Sequence, residues 1–189
     1  MSGKKITWII VGVVVAILVL SAIGGYNNLV NLSEDVNNKL SQIDNQLQLR
    51  NDLIPNLVAT VKGFAAHEEE ILKNVSDARA KLAGASSVEQ MAEGDAELTG
   101  ALSRLLVVVE NYPDLKADAN FRQLSDNLSG TENRISVARR DYNEAATRYN
   151  TAIRRFPTNI MASIFGFEKI EYFKAQEGAQ EVPKVDFSE

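Results

Sequence analysis

His67 is the only histidine in this 189-residue chain, and three carboxylates, Glu68-Glu69-Glu70, follow it directly. A histidine beside glutamates is the raw material for a zinc site or for general acid–base work, so chemistry is sought here first. The HExxH arrangement needs a second histidine one helical turn on, and Ile71 stands there instead. One histidine with carboxylates would hold a hard cation weakly, and the chain has no cysteine to complete a thiolate site. A Ser-His-Asp arrangement would have to recruit His67 as its base, yet no serine stands beside it in a strained turn. The stretch reads as an exposed polar helix face. The sequence therefore predicts no catalytic residue, no cofactor and no metal ligand.

Two other polar groupings invite attention. Arg50, Asn51 and Asp52 lie just before Pro55, the one proline within a long helical pattern. Proline has no N–H, so the carbonyl near Asn51 loses its helical partner and needs another if it is buried. Arg50, Asn51, Asp52 and Pro55 are thus a candidate cluster, either structural, holding a bent helix, or a docking point for a partner. Farther on, Tyr142-Asn143 and Tyr149-Asn150 repeat at seven residues, which puts two tyrosines on one helical stripe and two asparagines on its edge. Core packing accounts for the tyrosines. Arg139, Arg140, Arg148, Arg154 and Arg155 make the end of the same helix basic; Glu144 offsets part of this within the helix, and cations are favoured at a helix C-terminus.

The elements that must position these residues follow from periodicity. Residues 6–23 carry no charge, Lys4 and Lys5 precede them, and no later basic residue occurs before Lys39. As a helix this segment spans about 27 Å, the thickness of the bilayer's hydrocarbon. The one-sided lysines place residues 1–5 on the cytoplasmic side. The segment reads as a transmembrane signal-anchor. A cleaved signal peptide is the alternative, because Ala22-Ile23-Gly24 offers small residues at a cleavage position. A lipoprotein is excluded by the absence of cysteine, and Ser2 in place of glycine argues against myristoylation.

From Tyr26 the apolar residues recur at helical spacing: Leu29, Leu32, Val36, Leu40, Ile43, Leu47, Ile54, Val58, Val61 and Ala65, then Ile71, Val75, Ala78 and Leu82. Pro55 predicts a kink or short break near Asn51–Ile54. Gly84-Ala85-Ser86-Ser87 ends the pattern, with Ser87 as N-cap and Gln90 as its capping-box partner. A second helix reads from about Val88 to Asn111 and stops at Tyr112-Pro113-Asp114. A third reads from about Ala117 to Phe156 on the stripe Phe121, Leu124, Leu128, Thr131, Ile135, Ala138, Tyr142, Ala145, Tyr149 and Ile153, and ends at Pro157. The fold class is therefore all-α: a long antiparallel bundle of three to four helices over residues 26–173, the first kinked near Pro55, preceded by one transmembrane helix. Ile160, Met161, Ile164, Phe165 and Phe167 form an apolar segment that is membrane-proximal or an assembly surface. Residues 174–189 read as a mobile polar tail.

Composition disfavours two functions. Without Lys4 and Lys5 the chain keeps 18 basic residues against 25 acidic ones, a net of −7. Nucleic acid binding and tight adsorption to anionic lipid both need a basic surface.

The words Tyr26-Asn27-Asn28-Leu29-Val30, Arg50-Asn51-Asp52-Leu53-Ile54-Pro55-Asn56-Leu57-Val58 and Val61-Lys62-Gly63-Phe64 resemble the bacterial LemA family. Tyr112-Pro113-Asp114-Leu115-Lys116-Ala117, Arg140-Asp141-Tyr142-Asn143, Phe156-Pro157 and Gly166-Phe167 extend the likeness over roughly Trp8 to Phe173. The resemblance implies a membrane-anchored helical bundle without established catalytic activity. Members occur in magnetosome-forming bacteria, where one is associated with forming the organelle membrane, so membrane organisation is the function class it suggests. The expectation is a non-enzymatic, single-span protein of the bacterial inner membrane, N-terminus cytoplasmic and bundle periplasmic or extracellular. Its partners would be the lipid bilayer through residues 6–23 and further copies of itself, as a homo-oligomeric scaffold. The alternative is an accessory subunit of a membrane-protein partner such as a membrane protease.

Overall fold

The computed structural model describes residues 3–174, with side chains described from Thr7 onward. Among the described residues the protein is all-helical, 85% helix, with no strand. In chain order the helices are α1 (Gly3–Phe64), α2 (Glu69–Ala83), α3 (Val88–Val109), α4 (Pro113–Ala117), α5 (Ala119–Ala152) and α6 (Thr158–Phe165). The polar tail predicted over residues 174–189 lies, Lys174 apart, outside the described residues.

Helix α1 runs 62 residues through Gly24-Gly25 and through Pro55. Of the kink or short break predicted near Asn51–Ile54, the break is absent. A proline inside a helix frees the carbonyl four residues earlier, which is costly only when nothing else reaches that oxygen. Here Arg79 of α2 donates from Nε to the Asn51 carbonyl at 3.1 Å. The chain turns instead at residues 65–68, where Ala65 is buried and the Tyr112 hydroxyl donates to the Glu68 carboxylate at 2.8 Å. That turn carries His67, exposed, and separates α1 from α2 where the periodicity suggested continuity.

The link from α2 to α3 obeys local chemistry. Ser87 caps α3, its hydroxyl accepting from the Gln90 N–H at 3.2 Å. The Gln90 side chain accepts from the N–H and hydroxyl of Ser86, at 2.8 and 2.9 Å, so the reciprocal half of the capping box closes one residue earlier than predicted. Gly94 of α3 lies on α2: a Cβ there would stand 2.9 Å from the Leu82 Cα and 3.2 Å from its N. Backbone cannot yield as a side-chain tip can. Gly94→Ala is therefore expected to destabilise despite the helix-propensity gain of about 1 kcal/mol, because overpacking costs about 1–3 kcal/mol. Gly100, in the same helix with nothing within 4 Å, should show that gain when changed to alanine. Urea unfolding midpoints of the two variants give opposite signs on this account.

Pro113 opens α4 at a position where a missing N–H costs nothing. The Asp118 carboxylate accepts from the Phe121 N–H at 2.8 Å and starts α5. Helix α5 ends at Ala152, ahead of Pro157 rather than at it, and residues 153–156 form turns. The apolar segment beyond Pro157 is itself a helix, α6, closed by Gly166 in the left-handed region (φ 72°) that favours glycine.

The chain divides into two units. The first holds residues 3–41 together with Arg140–Glu171, and buries Leu29 and Val36 of α1, Tyr142, Ala145, Ala146 and Tyr149 of α5 and Ala162 of α6. Within it Arg148 pairs with Asp35 at 2.7 Å. The second holds Gln42–Arg139 and residues 172–174, and buries Ile43, Leu47, Ile54, Leu57, Val75, Leu98, Leu105 and Ile135 among others. There α2 and α3 pack on each other.

Candidate functional site

In the second unit the buried stripe of α1 passes through a charged residue. Leu47 and Ile54 are core residues seven apart, and Arg50 occupies the turn between them, 4% exposed at its side chain. On α3, Asp95 fills the matching gap between Met91 and Leu98, with a carboxylate 1% exposed. Arg50 hydrogen-bonds one Asp95 oxygen and Arg139 of α5 hydrogen-bonds the other. Arg50 also donates to the Thr99 hydroxyl at 3.0 Å. Its Nη1 lies 2.6 Å from Glu132 Oε2, an ionic contact without hydrogen-bond alignment. The Arg139 guanidinium sits 4.7 Å over the Phe173 ring.

The ensemble is charge-balanced, two arginines against Asp95 and Glu132. A cleft of about 330 Å³ opens beside it, lined by Leu57, Thr99, Ser103, Ser125, Ser129 and Glu132 among others. Because Arg50 already faces two carboxylates, the cleft carries no net positive charge for an anion. What the geometry does chemically is lock: burial strengthens the pairings of Asp95 with Arg50 and Arg139 and makes Asp95 and Arg50 costly to remove, whereas Glu132, 41% exposed at its side chain, is screened by water.

The predicted cluster is thus divided. Arg50 is a buried hub. Asn51 is buried, its carbonyl held by Arg79 and its side-chain Oδ1 without a partner. Asp52 stands on the exposed side, accepting from Gln48 at 2.9 Å, and Pro55 is exposed. Sequence reasoning missed Asp95, Glu132 and Arg79, and read Arg139 only as part of a basic helix end. A signal was present, because each apolar stripe skips one turn, between Leu47 and Ile54 and between Met91 and Leu98, and a charged residue sits in each skip.

In the first unit, Asn150 is buried rather than on an edge, and its amide pairs with the Ile170 backbone twice: Nδ2 donates to the carbonyl at 2.8 Å, and Oδ1 accepts from the N–H at 2.9 Å. The buried Tyr142 hydroxyl donates to the Glu171 carbonyl at 2.9 Å. Together they strap the segment after α6 onto α5. Burial first, then the charge of Glu171 for Tyr142 and of Glu168 for Tyr149, raises both phenols above their ordinary pKa of 10.0. A raised folded pKa means the stability is complete below the unfolded value and is lost as pH climbs through the folded one. Urea midpoints should therefore hold up to about pH 10 and fall above it, and Tyr142→Phe should shallow that fall.

Also in the first unit, Tyr26 meets two aromatics of the predicted apolar segment, with ring centroids 4.7 Å from Phe165 and 5.9 Å from Phe167. Met161 lies beside Gly25. Ile160, Ile164 and Phe165 remain exposed, as do the large apolar side chains of α1 from Trp8 to Ile23.

Fold and surface define an all-helical protein with one N-terminal helix long and apolar enough to cross a membrane, none of its most apolar window being buried. The LemA family model matches residues 39–187, and the chain belongs to the LemA family. It is 34% identical over 175 residues to magnetosome protein MamQ 1 of Paramagnetospirillum magneticum, covering 79% of this chain and 64% of that protein. It is 31% identical over 174 residues to magnetosome protein MamQ of Magnetospirillum gryphiswaldense, covering 78% and 64%. It is 29% identical over 160 residues to protein LemA of Metamycoplasma hominis, covering 82% and 71%. The chain thus spans about 64% of the length of its magnetosome relatives.

Proposed function

We propose that the protein is a non-enzymatic scaffold: an antiparallel helical bundle, anchored by residues 6–23 in the bacterial inner membrane, that binds further copies of itself at the bilayer. The observation that carries this reading is the apolar helix from Trp8 to Ile23, whose large apolar side chains are all exposed, a surface that water disfavours and hydrocarbon accepts. The N-terminal lysines orient it with residues 1–5 in the cytoplasm and the bundle outside. The ion network supports a structural rather than catalytic role, since its arginines and carboxylates are engaged with each other, and His67 stands on an exposed turn. Anchoring confines the bundles to a surface, where weak contacts gain effective concentration. Exposed Leu106 and Val107 on α3 and Val137 on α5 are apolar material for such contacts.

Solution masses of the full-length protein in detergent and of a version starting at Tyr26 test the reading. A full-length oligomer supports it, and monomers in both cases remove self-assembly. Crosslinked capture from native membranes supplies the contrast: a stoichiometric membrane protease in the capture would make the protein an accessory subunit instead.

A further inference from the structure

Helix α6 and the end of the apolar helix belong to one unit and enclose a cleft of about 610 Å³, lined by Leu18, Val19 and Ala22 on one side and Phe156, Ile160 and Met161 on the other. Leu18 precedes Gly25, the residue beside Met161, by seven positions, which is about 10 Å along a helix axis. A cleft reaching that far down a membrane-crossing helix opens into lipid, not water. Helices that lie in the interface sit at this depth, about 5–10 Å into the headgroup–acyl boundary.

The side chains of α6 match that setting. Ala162 is buried and Met161 half-buried toward the protein. Ile160 and Ile164, one turn apart, are exposed, Ile164 at 65%, and Phe156, 81% exposed just before the helix, lines the same cleft as Ile160. Asn159 and Ser163 form the neighbouring polar stripe. Arg154 and Arg155, both exposed, stand immediately before Phe156, where lipid phosphates would meet them. Tyr26, packed on Phe165 and Phe167, is of the residue type enriched at the level of membrane headgroups.

We propose that α6 is an interfacial membrane helix, its Ile160–Ile164 side and Phe156 inserted into the outer face of the bilayer and Arg154 and Arg155 on its phosphates. The proposal rests on the reading that residues 6–23 cross the membrane. A second copy of the chain could also cover an apolar face, but continuity with the apolar helix and the adjacent arginines favour lipid. The first unit is then held at two points, so it cannot swivel about its anchor.

The single tryptophan, Trp8, makes the test internal. The full-length protein is placed in phosphatidylcholine–phosphatidylglycerol vesicles with brominated acyl chains, which quench tryptophan by contact. Quenching of Trp8 in the unaltered protein reports the span. In a Trp8→Phe background, Ile164→Trp reports the apolar side of α6, Phe156→Trp repeats the measurement outside the helix, and Asn159→Trp reports the polar stripe. The expected result is an emission loss of about twofold at positions 164 and 156, as for Trp8, and markedly less at 159. Unchanged emission at 164 and 156 with Trp8 quenched overturns the proposal and leaves the span standing. Crosslinking of Ile164→Cys between copies without lipid quenching assigns the face to self-association and overturns it too. Absence of quenching at Trp8 overturns the span, and the proposal with it.

Discussion

Asp95→Ala is expected to lower the stability of the second unit by about 3–5 kcal/mol, the largest effect of any single substitution considered. The carboxylate accepts from Arg50 on one oxygen and from Arg139 on the other at 1% exposure, so its removal strands two guanidinium groups. Arg50 would keep only Thr99 and Glu132, and the Glu132 side chain is 41% exposed and weakly able to substitute. Asp95→Asn keeps the volume and removes the charge; it should fall nearly as far. Glu132→Gln should cost much less, because a half-exposed partner is screened by water. Replacing Arg50, Asp95 and Arg139 together by apolar residues of similar size should recover much of the loss, since the penalty lies in leaving a buried charge alone. Urea unfolding of the four variants distinguishes a lock from a dispensable pair: equal, small losses throughout would contradict it.

Two central charges should release the protein from the membrane, whereas one should not. The Ile, Leu and Val residues of 6–23 together favour insertion by roughly 4–7 kcal/mol, and each central arginine opposes it by about 2.5–3.5 kcal/mol. Val14→Arg alone therefore leaves a favourable balance. At the middle of these ranges, Val14→Arg with Ile17→Arg carries it past zero. Both positions are exposed and outside the buried core, so the thermal melt of the remainder should not move. Alkaline extraction of membranes measures retention: the single variant should stay in the pellet and the double variant should appear in the supernatant. Retention of the double variant would mean that something other than residues 6–23 holds the chain.

Much of the fold was readable because the stripes are long. The α5 pattern from Phe121 to Tyr149 matches the burial almost residue for residue, and Ser87 caps α3 as its side chain requires. The errors arise where a distant group overrides a local rule. Pro55 leaves an orphan carbonyl in any sequence, but Arg79, supplied from another helix, satisfies it, and local pattern cannot show that. Beyond Pro55 the buried stripe runs through Leu57 rather than Val58. Asn150 resembled an edge residue because its partner is backbone at Ile170, and backbone leaves no mark in residue type. The ion network was half legible. Arg50 was singled out for the proline beside it, though its importance comes from the skipped turn it fills and from Asp95 opposite.

Lateral association in a bilayer bears most directly on the scaffold. Full-length protein labelled separately with donor and acceptor dyes and reconstituted together should retain energy transfer as lipid is added in excess, because a specific assembly survives dilution in the membrane plane. Transfer that falls to the level of random mixing would contradict the account.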